Sequence, residues 1–144
     1  MTRRKKQNAG CVSAATLEAA RAGMEILEQG GNAVDAAVAV SLVLGVTEPA
    51  GSGIGGQSTF IVYPIDGNPF VLNGTSFSPQ HTPVASALTD LNGHRASTIP
   101  TNLKVLDCAW KKYGSGKISW PQLVEPAVDC ASEGSSLGPF RLQA

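Results

Sequence analysis

The chain has 144 residues, an ordinary length for one domain. Eleven Lys and Arg balance eleven Asp and Glu, so the net charge gives no electrostatic case for a nucleic-acid partner. Charged residues are only 15% of the chain and apolar ones 42%, against a norm of about 25% charged, which describes a chain that hides much of its surface.

The first nine residues carry the one basic cluster, Arg3-Arg4-Lys5-Lys6, and residues 1–9 read as a solvated, frayed tail. Gln7, Asn8 and Ala9 follow the charges where a secretory signal would have an apolar run, so the chain as given favours a cytoplasmic location. The longest apolar stretch, residues 36–46, is too short for a bilayer span of roughly 20 residues, and no membrane partner is expected. Cys11, Cys108 and Cys130 are widely spaced, form no metal-binding pair, and read as buried thiols in a reducing compartment. With only two histidines, His81 and His94, neither a metal nor any other cofactor is expected.

Residues 13–29 read as an amphipathic helix, with Leu17, Ala20, Met24 and Leu27 near helical spacing. Gly30-Gly31 supplies a left-handed stop. Asn32 suits the N-cap of a second helix, and Asp35 falls where a carboxylate meets first-turn amides. That helix, about 33–45, is apolar nearly all round and so reads as buried; it must end before Pro49. A glycine cluster over 51–56 follows, then a strand over 58–63. Asp66-Gly67 marks a hairpin turn, and residues 70–72 form the returning strand.

Residues 73–82 read as loop, and a short helix beginning on proline is expected over 83–88. Asn92-Gly93 marks another turn. A helix over 103–113 ends with Lys111-Lys112 and is capped by Gly114. Another over 121–132 has Ser119 as N-cap, Pro121 in its first turn and Gly134 beyond its end.

Gly51, Gly53 and Gly56 formally fit G-x-G-x-x-G. A dinucleotide site needs a strand before the glycines and a helix after them, and here the order is reversed. These glycines instead indicate backbone passing close to other backbone or to a ligand. Neither histidine lies in a nucleophile context and G-x-S-x-G is absent, so both read as exposed loop residues. Glu48 is expected to hold the glycine loop by accepting amide hydrogen bonds. No complete catalytic set is visible in the residues themselves.

Two long segments carry a resemblance. Glu25-Ile-Leu-Glu-Gln-Gly-Gly-Asn-Ala-Val-Asp-Ala-Ala-Val-Ala39 and Thr47-Glu-Pro-Ala-Gly-Ser-Gly-Ile-Gly-Gly56 resemble, in order and separation, two motifs of the γ-glutamyltransferase family's large subunit. Ile99-Pro100 with the helix up to Gly114, and Trp120-Pro-Gln-Leu-Val-Glu-Pro-Ala127 up to Gly134, resemble its later segments. The resemblance covers residues 10–144, read as the N-terminal part of the large subunit and as an incomplete domain.

It implies an α+β fold, part of an αββα N-terminal-nucleophile hydrolase sandwich. A single polypeptide would cleave itself into large and small subunits. The small subunit's N-terminal threonine would attack a γ-glutamyl or related amide and pass the acyl group to water or an amine. The partners implied are that missing small subunit and a small-molecule amide, with glutathione metabolism as the setting. The threonine–histidine nucleophile motif does not occur in residues 1–144, so no catalytic residue is expected in this chain, and the chain alone is expected to be inactive. A non-catalytic or truncated homologue with a scaffold or binding role is the alternative.

Structural roles are expected for Asn32, Asp35, Glu48, Ser52, Gly53, Gly55 and Gly56. The resemblance places Thr75, within Asn73-Gly-Thr-Ser-Phe-Ser-Pro79, where the family carries its substrate-carboxylate arginine. A guanidinium grips a carboxylate with two charge-assisted bonds, whereas a threonine offers one hydroxyl. Losing such a contact costs about 2 to 5 kcal/mol when the partner stays desolvated. An amide other than γ-glutamyl is thereby admitted as substrate.

Overall fold

The computed structural model describes residues 10–77, 80–81 and 97–138. The expected helix at 83–88, the turn at Asn92-Gly93 and His94 lie outside these residues. Four helices and two strands follow one another as α1 (Leu17–Glu28), α2 (Ala33–Thr47), β1 (Ser58–Val62), β2 (Phe70–Gly74), α3 (Asn102–Tyr113) and α4 (Trp120–Glu133). The chain divides into two compact units, one of residues 1–53 and 110–144 and the other of residues 54–109, the division falling inside α3.

In the first unit α1 and α4 pack on α2. The side chain of Thr16 accepts the amide of Ala19, so α1 starts at Leu17, later than residue 13, where the sequence placed it. Its core face also differs from expectation. Ala19, Ala22, Gly23 and Ile26 are buried, whereas Leu17 is 61% exposed. The expected stripe of Leu17, Ala20, Met24 and Leu27 put the face wrong, because α1 meets its neighbours through three small residues, Ala19, Ala22 and Gly23, together with Ile26. A Cβ on Gly23 would sit 2.7 Å from Cγ2 of Val40 on α2. The helix ends in a two-bond motif. Gly30, at φ +93°, donates to the carbonyl of Leu27, and Gly31 donates to that of Ile26.

Of α2, only Ala33 is exposed, which matches its all-round apolar sequence. It runs to Thr47 and stops at Glu48, just before the proline that forbids continuation. Its C-terminal turn joins the start of α1 through hydroxyls. Thr47 Oγ1 donates to the carbonyl of Val43 at 3.0 Å and lies 2.9 Å from Thr16 Oγ1. With the Thr47 proton committed, the Thr16 hydroxyl donates to Thr47.

In the second unit β1 and β2 form an antiparallel pair in the register Ser58↔Gly74, Phe60↔Leu72 and Val62↔Phe70. Phe60, Val62, Phe70 and Leu72 are half-buried on one face, while Thr59, Ile61, Val71 and Asn73 face out. The pair is fastened to the start of α3. The amides of Thr101 and Asn102 both donate to the carbonyl of Gly56, and the hydroxyl of Thr101 donates to the carbonyl of Gly74. A Cβ at Gly74 would lie 2.8 Å from the Ser58 carbonyl, a close approach that requires glycine.

The cysteine expectation is corrected. Cys11 is exposed, and Cys108 and Cys130 are partly exposed; all three are free. Cys11 precedes α1, and the other two lie beside the core positions of their helices rather than on them. No helix among the described residues is long and apolar enough to cross a membrane.

Candidate functional site

The residues assigned structural roles sit mainly at two turns of the first unit. Asn32 caps α2, its Oδ1 accepting the amides of Val34 at 2.9 Å and Asp35 at 3.0 Å. Asp35 Oδ2 accepts the amide of Asn32 at 3.0 Å, closing a reciprocal capping box. The same two side chains reach the connection between α3 and α4. Asn32 Nδ2 donates to the carbonyl of Tyr113 at 2.8 Å, and Asp35 Oδ2 accepts the amide of Ser115 at 3.0 Å. Asp35 is fully buried, and its Oδ1 has no partner among the described residues. Gly114 makes room for that carboxylate, since a Cβ there would lie 2.7 Å from Oδ1 and 2.5 Å from the Trp110 carbonyl. One Asn-x-x-Asp pair therefore starts a helix and fastens a distant turn.

At the other end of α2, Glu48 holds the start of the glycine cluster by its backbone. Its carbonyl accepts the amides of Gly51 at 3.1 Å and Ser52 at 2.9 Å. The carboxylate expected to do so makes no such bond among the described residues. The glycines also differ from expectation. None of Gly51, Gly53, Gly55 and Gly56 has a positive φ, and a Cβ at Gly53 or Gly55 would meet nothing within 4 Å. Close approach to described backbone does not account for glycine at these two positions.

In the second unit Thr75 follows β2 in an Asx turn. Asn73 Oδ1 accepts both its amide, at 3.0 Å, and its hydroxyl, at 2.5 Å. The next residue is held from β1's side, as Gln57 Oε1 accepts the amide of Ser76 at 2.7 Å. Gln57 Nε2 donates to Thr98 Oγ1 at 2.9 Å. One exposed carboxamide thus spans two segments that are far apart in sequence. The sequence reading passed over Gln57, and its position directly after the glycine cluster was the only available signal. His81 is exposed in a turn. No group of histidine, cysteine and carboxylate side chains among the described residues could hold a metal ion.

A helix layer and an antiparallel hairpin carrying paired helix-capping and glycine-rich turns define the class as α+β, part of an αββα N-terminal-nucleophile hydrolase sandwich. Residues 19–141 match the family model described as gamma-glutamyltranspeptidase, and the chain belongs to that family. It is 33% identical over 143 residues to a glutathione hydrolase proenzyme of Pseudomonas aeruginosa, a match covering 93% of this chain and 25% of that protein. Among solved structures, Helicobacter pylori γ-glutamyltranspeptidase superposes with a TM-score of 0.84 at 27% identity, covering 96% of this chain and 42% of that one. A cephalosporin acylase of Bacillus halodurans superposes with a TM-score of 0.77 at 30% identity, covering 87% of this chain and 24% of that one. The chain spans 21% to 25% of the length of the curated relatives it matches, the Pseudomonas protein and an Arabidopsis glutathione hydrolase among them.

Proposed function

We propose that residues 10–144 are the N-terminal part of the large subunit of a self-cleaving amidohydrolase or acyltransferase, whose nucleophilic threonine lies in sequence beyond this chain. The family match over residues 19–141 carries this reading. The share of the relatives' length that the chain spans agrees with it, as does the word proenzyme in the name of the Pseudomonas relative. The hairpin's outer face also supports it. Ile61 is 71% and Val71 55% exposed, directly opposite each other, and such a face needs cover from further chain.

In the proposed chemistry the threonine hydroxyl attacks the amide carbonyl carbon while its own α-amine takes the proton. The tetrahedral oxyanion collapses, the C–N bond breaks, and the amine leaves carrying that proton. Water or a second amine then attacks the ester carbon, restoring the threonine. This chain supplies core and part of the pocket wall, with no cofactor.

Thr75 is proposed to border the acyl pocket, and its hydrogen bonding bears on the substrate. Its amide and its hydroxyl proton are both given to Asn73 Oδ1, so its hydroxyl is left to accept. A carboxylate requires donors. The arrangement favours a related amide over a γ-glutamyl one, and the family's fold does serve another acyl group in the Bacillus acylase. The test uses the complete polypeptide that carries this chain, after self-cleavage, with γ-glutamyl-p-nitroanilide and a neutral acyl-p-nitroanilide. Faster turnover of the neutral anilide is expected. Preference for the γ-glutamyl substrate contradicts the Thr75 reading, and turnover of neither removes the enzyme reading in favour of a non-catalytic homologue.

A further inference from the structure

The connection between α3 and α4 forms a surface cavity of about 400 Å³ whose lining includes Trp110, Lys111, Gly116, Lys117 and Ser119. Nothing in the proposed amide chemistry uses it. Its size lies within the range of about 300 to 1,000 Å³ usual for small-molecule sites.

The floor of the cavity is fixed before any ligand arrives. The indole N–H of Trp110 is committed to the carbonyl of Ile118 at 2.9 Å, which sets the ring's orientation at the edge of the cavity. Trp120 supports that ring, with centroids 5.5 Å apart and planes tilted by 52°. The turn itself is pinned from below. Asn32 holds Tyr113, Asp35 holds Ser115, and Ser115 Oγ accepts the amide of Lys117 at 3.1 Å. Gly116, at φ +72°, lets the chain reverse there.

The charged side chains that line the cavity have one sign, while the buried Asp35 carboxylate lies beneath the turn on the amide of Ser115. Lys111 and Lys117 both line the cavity, and no carboxylate does. The Lys117 ammonium has no partner among the described residues, and its stem lies along Gly30. Ser119, the N-cap of α4, adds the positive end of that helix dipole. With no imidazole, thiolate or carboxylate in the lining, metal binding is chemically unsupported.

The geometry points to a binding site for a small planar anion, an aromatic ring bearing a phosphate or carboxylate, stacked on Trp110 with its charge between Lys111 and Lys117. A cation is repelled here. A neutral ring gains only the stacking, and a bare anion only the charge. None of its lining residues is given a part in the proposed amide chemistry, so the ligand proposed here is a second one.

Calorimetric titration of the complete polypeptide with phenyl phosphate tests this. Saturable binding is expected, weakened about three- to fivefold in Lys117→Gln and similarly in Lys111→Gln, as exposed charge contacts weaken on removal. It should weaken further in about 0.5 M NaCl, where the Debye length is only a few ångströms. Both substitutions are at exposed side chains, so unchanged melting temperatures will show that the fold is intact. Benzyl alcohol and inorganic phosphate should each bind more weakly than phenyl phosphate. No saturable binding, or binding indifferent to both lysine substitutions, overturns the site. Equal affinity for inorganic phosphate and phenyl phosphate overturns the stacking on Trp110 and with it the proposal.

Discussion

Asp35, in the first turn of α2, accepts the backbone amide of Ser115, 80 residues later, at 3.0 Å. The same oxygen takes the amide of Asn32, so one buried carboxylate serves a helix start and a remote turn. Asp35→Ala leaves both amides without this acceptor, and each loss costs about 1 to 3 kcal/mol. Chemical denaturation of the complete polypeptide should show a destabilisation of that order for the first cooperative transition. A loss below about 0.5 kcal/mol, the level of an ordinary surface change, would contradict the role given to Asp35.

Three glycine-to-alanine substitutions separate three reasons for glycine. Gly114→Ala drives a methyl group to 2.5 Å from the Trp110 carbonyl, and overpacking of that kind costs about 1 to 3 kcal/mol. Gly116→Ala meets open space but a positive φ, and should cost about 1 kcal/mol. Gly53→Ala meets neither and should stay within about 0.5 kcal/mol of the parent. If Gly53→Ala still lowers activity several-fold, the glycine loop faces substrate or the remaining chain. Unchanged stability and unchanged activity together would leave its glycine without a role.

The Thr16–Thr47 contact predicts coupling. Thr16→Ala removes the cap of α1, at about 1 to 2 kcal/mol, and Thr47→Val removes the acceptor of the Thr16 hydroxyl. Contacting residues couple by about 0.5 to 3 kcal/mol, so the double variant should lose less than the two single losses added. Strict additivity would place the hydroxyl bond elsewhere.

Cys130 should be the slower thiol. Burial first, and then the negative charges of Glu18, Asp129 and Glu133, push its thiol above the ordinary cysteine value. The thiolate is the reactive form, so at pH 8 Cys130 carries less of it and should alkylate with iodoacetamide more slowly than exposed Cys11. Because the raised value favours the neutral thiol in the folded state, the associated stability is present at neutral pH and is lost as pH rises through the folded value. Equal labelling rates at the two cysteines in the folded protein would contradict this ordering.

The sequence made some features legible and hid others for physical reasons. Helix ends are local chemistry. Gly30-Gly31, Asn32, the proline after Glu48 and Gly134 all punctuate the observed helices near the expected places. Family membership was legible because two long motifs fix many residues at once. The core face of α1 was not, because Gly23 meets Val40 on another helix, and the stripe of Leu17, Ala20, Met24 and Leu27 left out the buried Ile26. The link from Asp35 to Ser115 and the bridge made by Gln57 between Ser76 and Thr98 join residues far apart in the chain. Such links leave no periodic signal. Glu48 showed a carboxylate to the reader, yet its carbonyl makes the bonds.

The hairpin's exposed outer face predicts that residues 1–144 alone fold poorly. A two-stranded sheet is marginal without a covered face. A broad, weakly cooperative melt is expected for the isolated chain, and a sharp one with dispersed amide resonances would contradict it.

The central claim is that this chain belongs to a self-cleaving enzyme with an N-terminal threonine nucleophile. Its most direct test is to express the complete polypeptide, separate its fragments and sequence the N-terminus of the smaller one by mass spectrometry. The account predicts two fragments, the larger containing this chain and the smaller beginning with threonine. A single uncleaved polypeptide, or a smaller fragment whose first residue has no nucleophilic side chain, would contradict it.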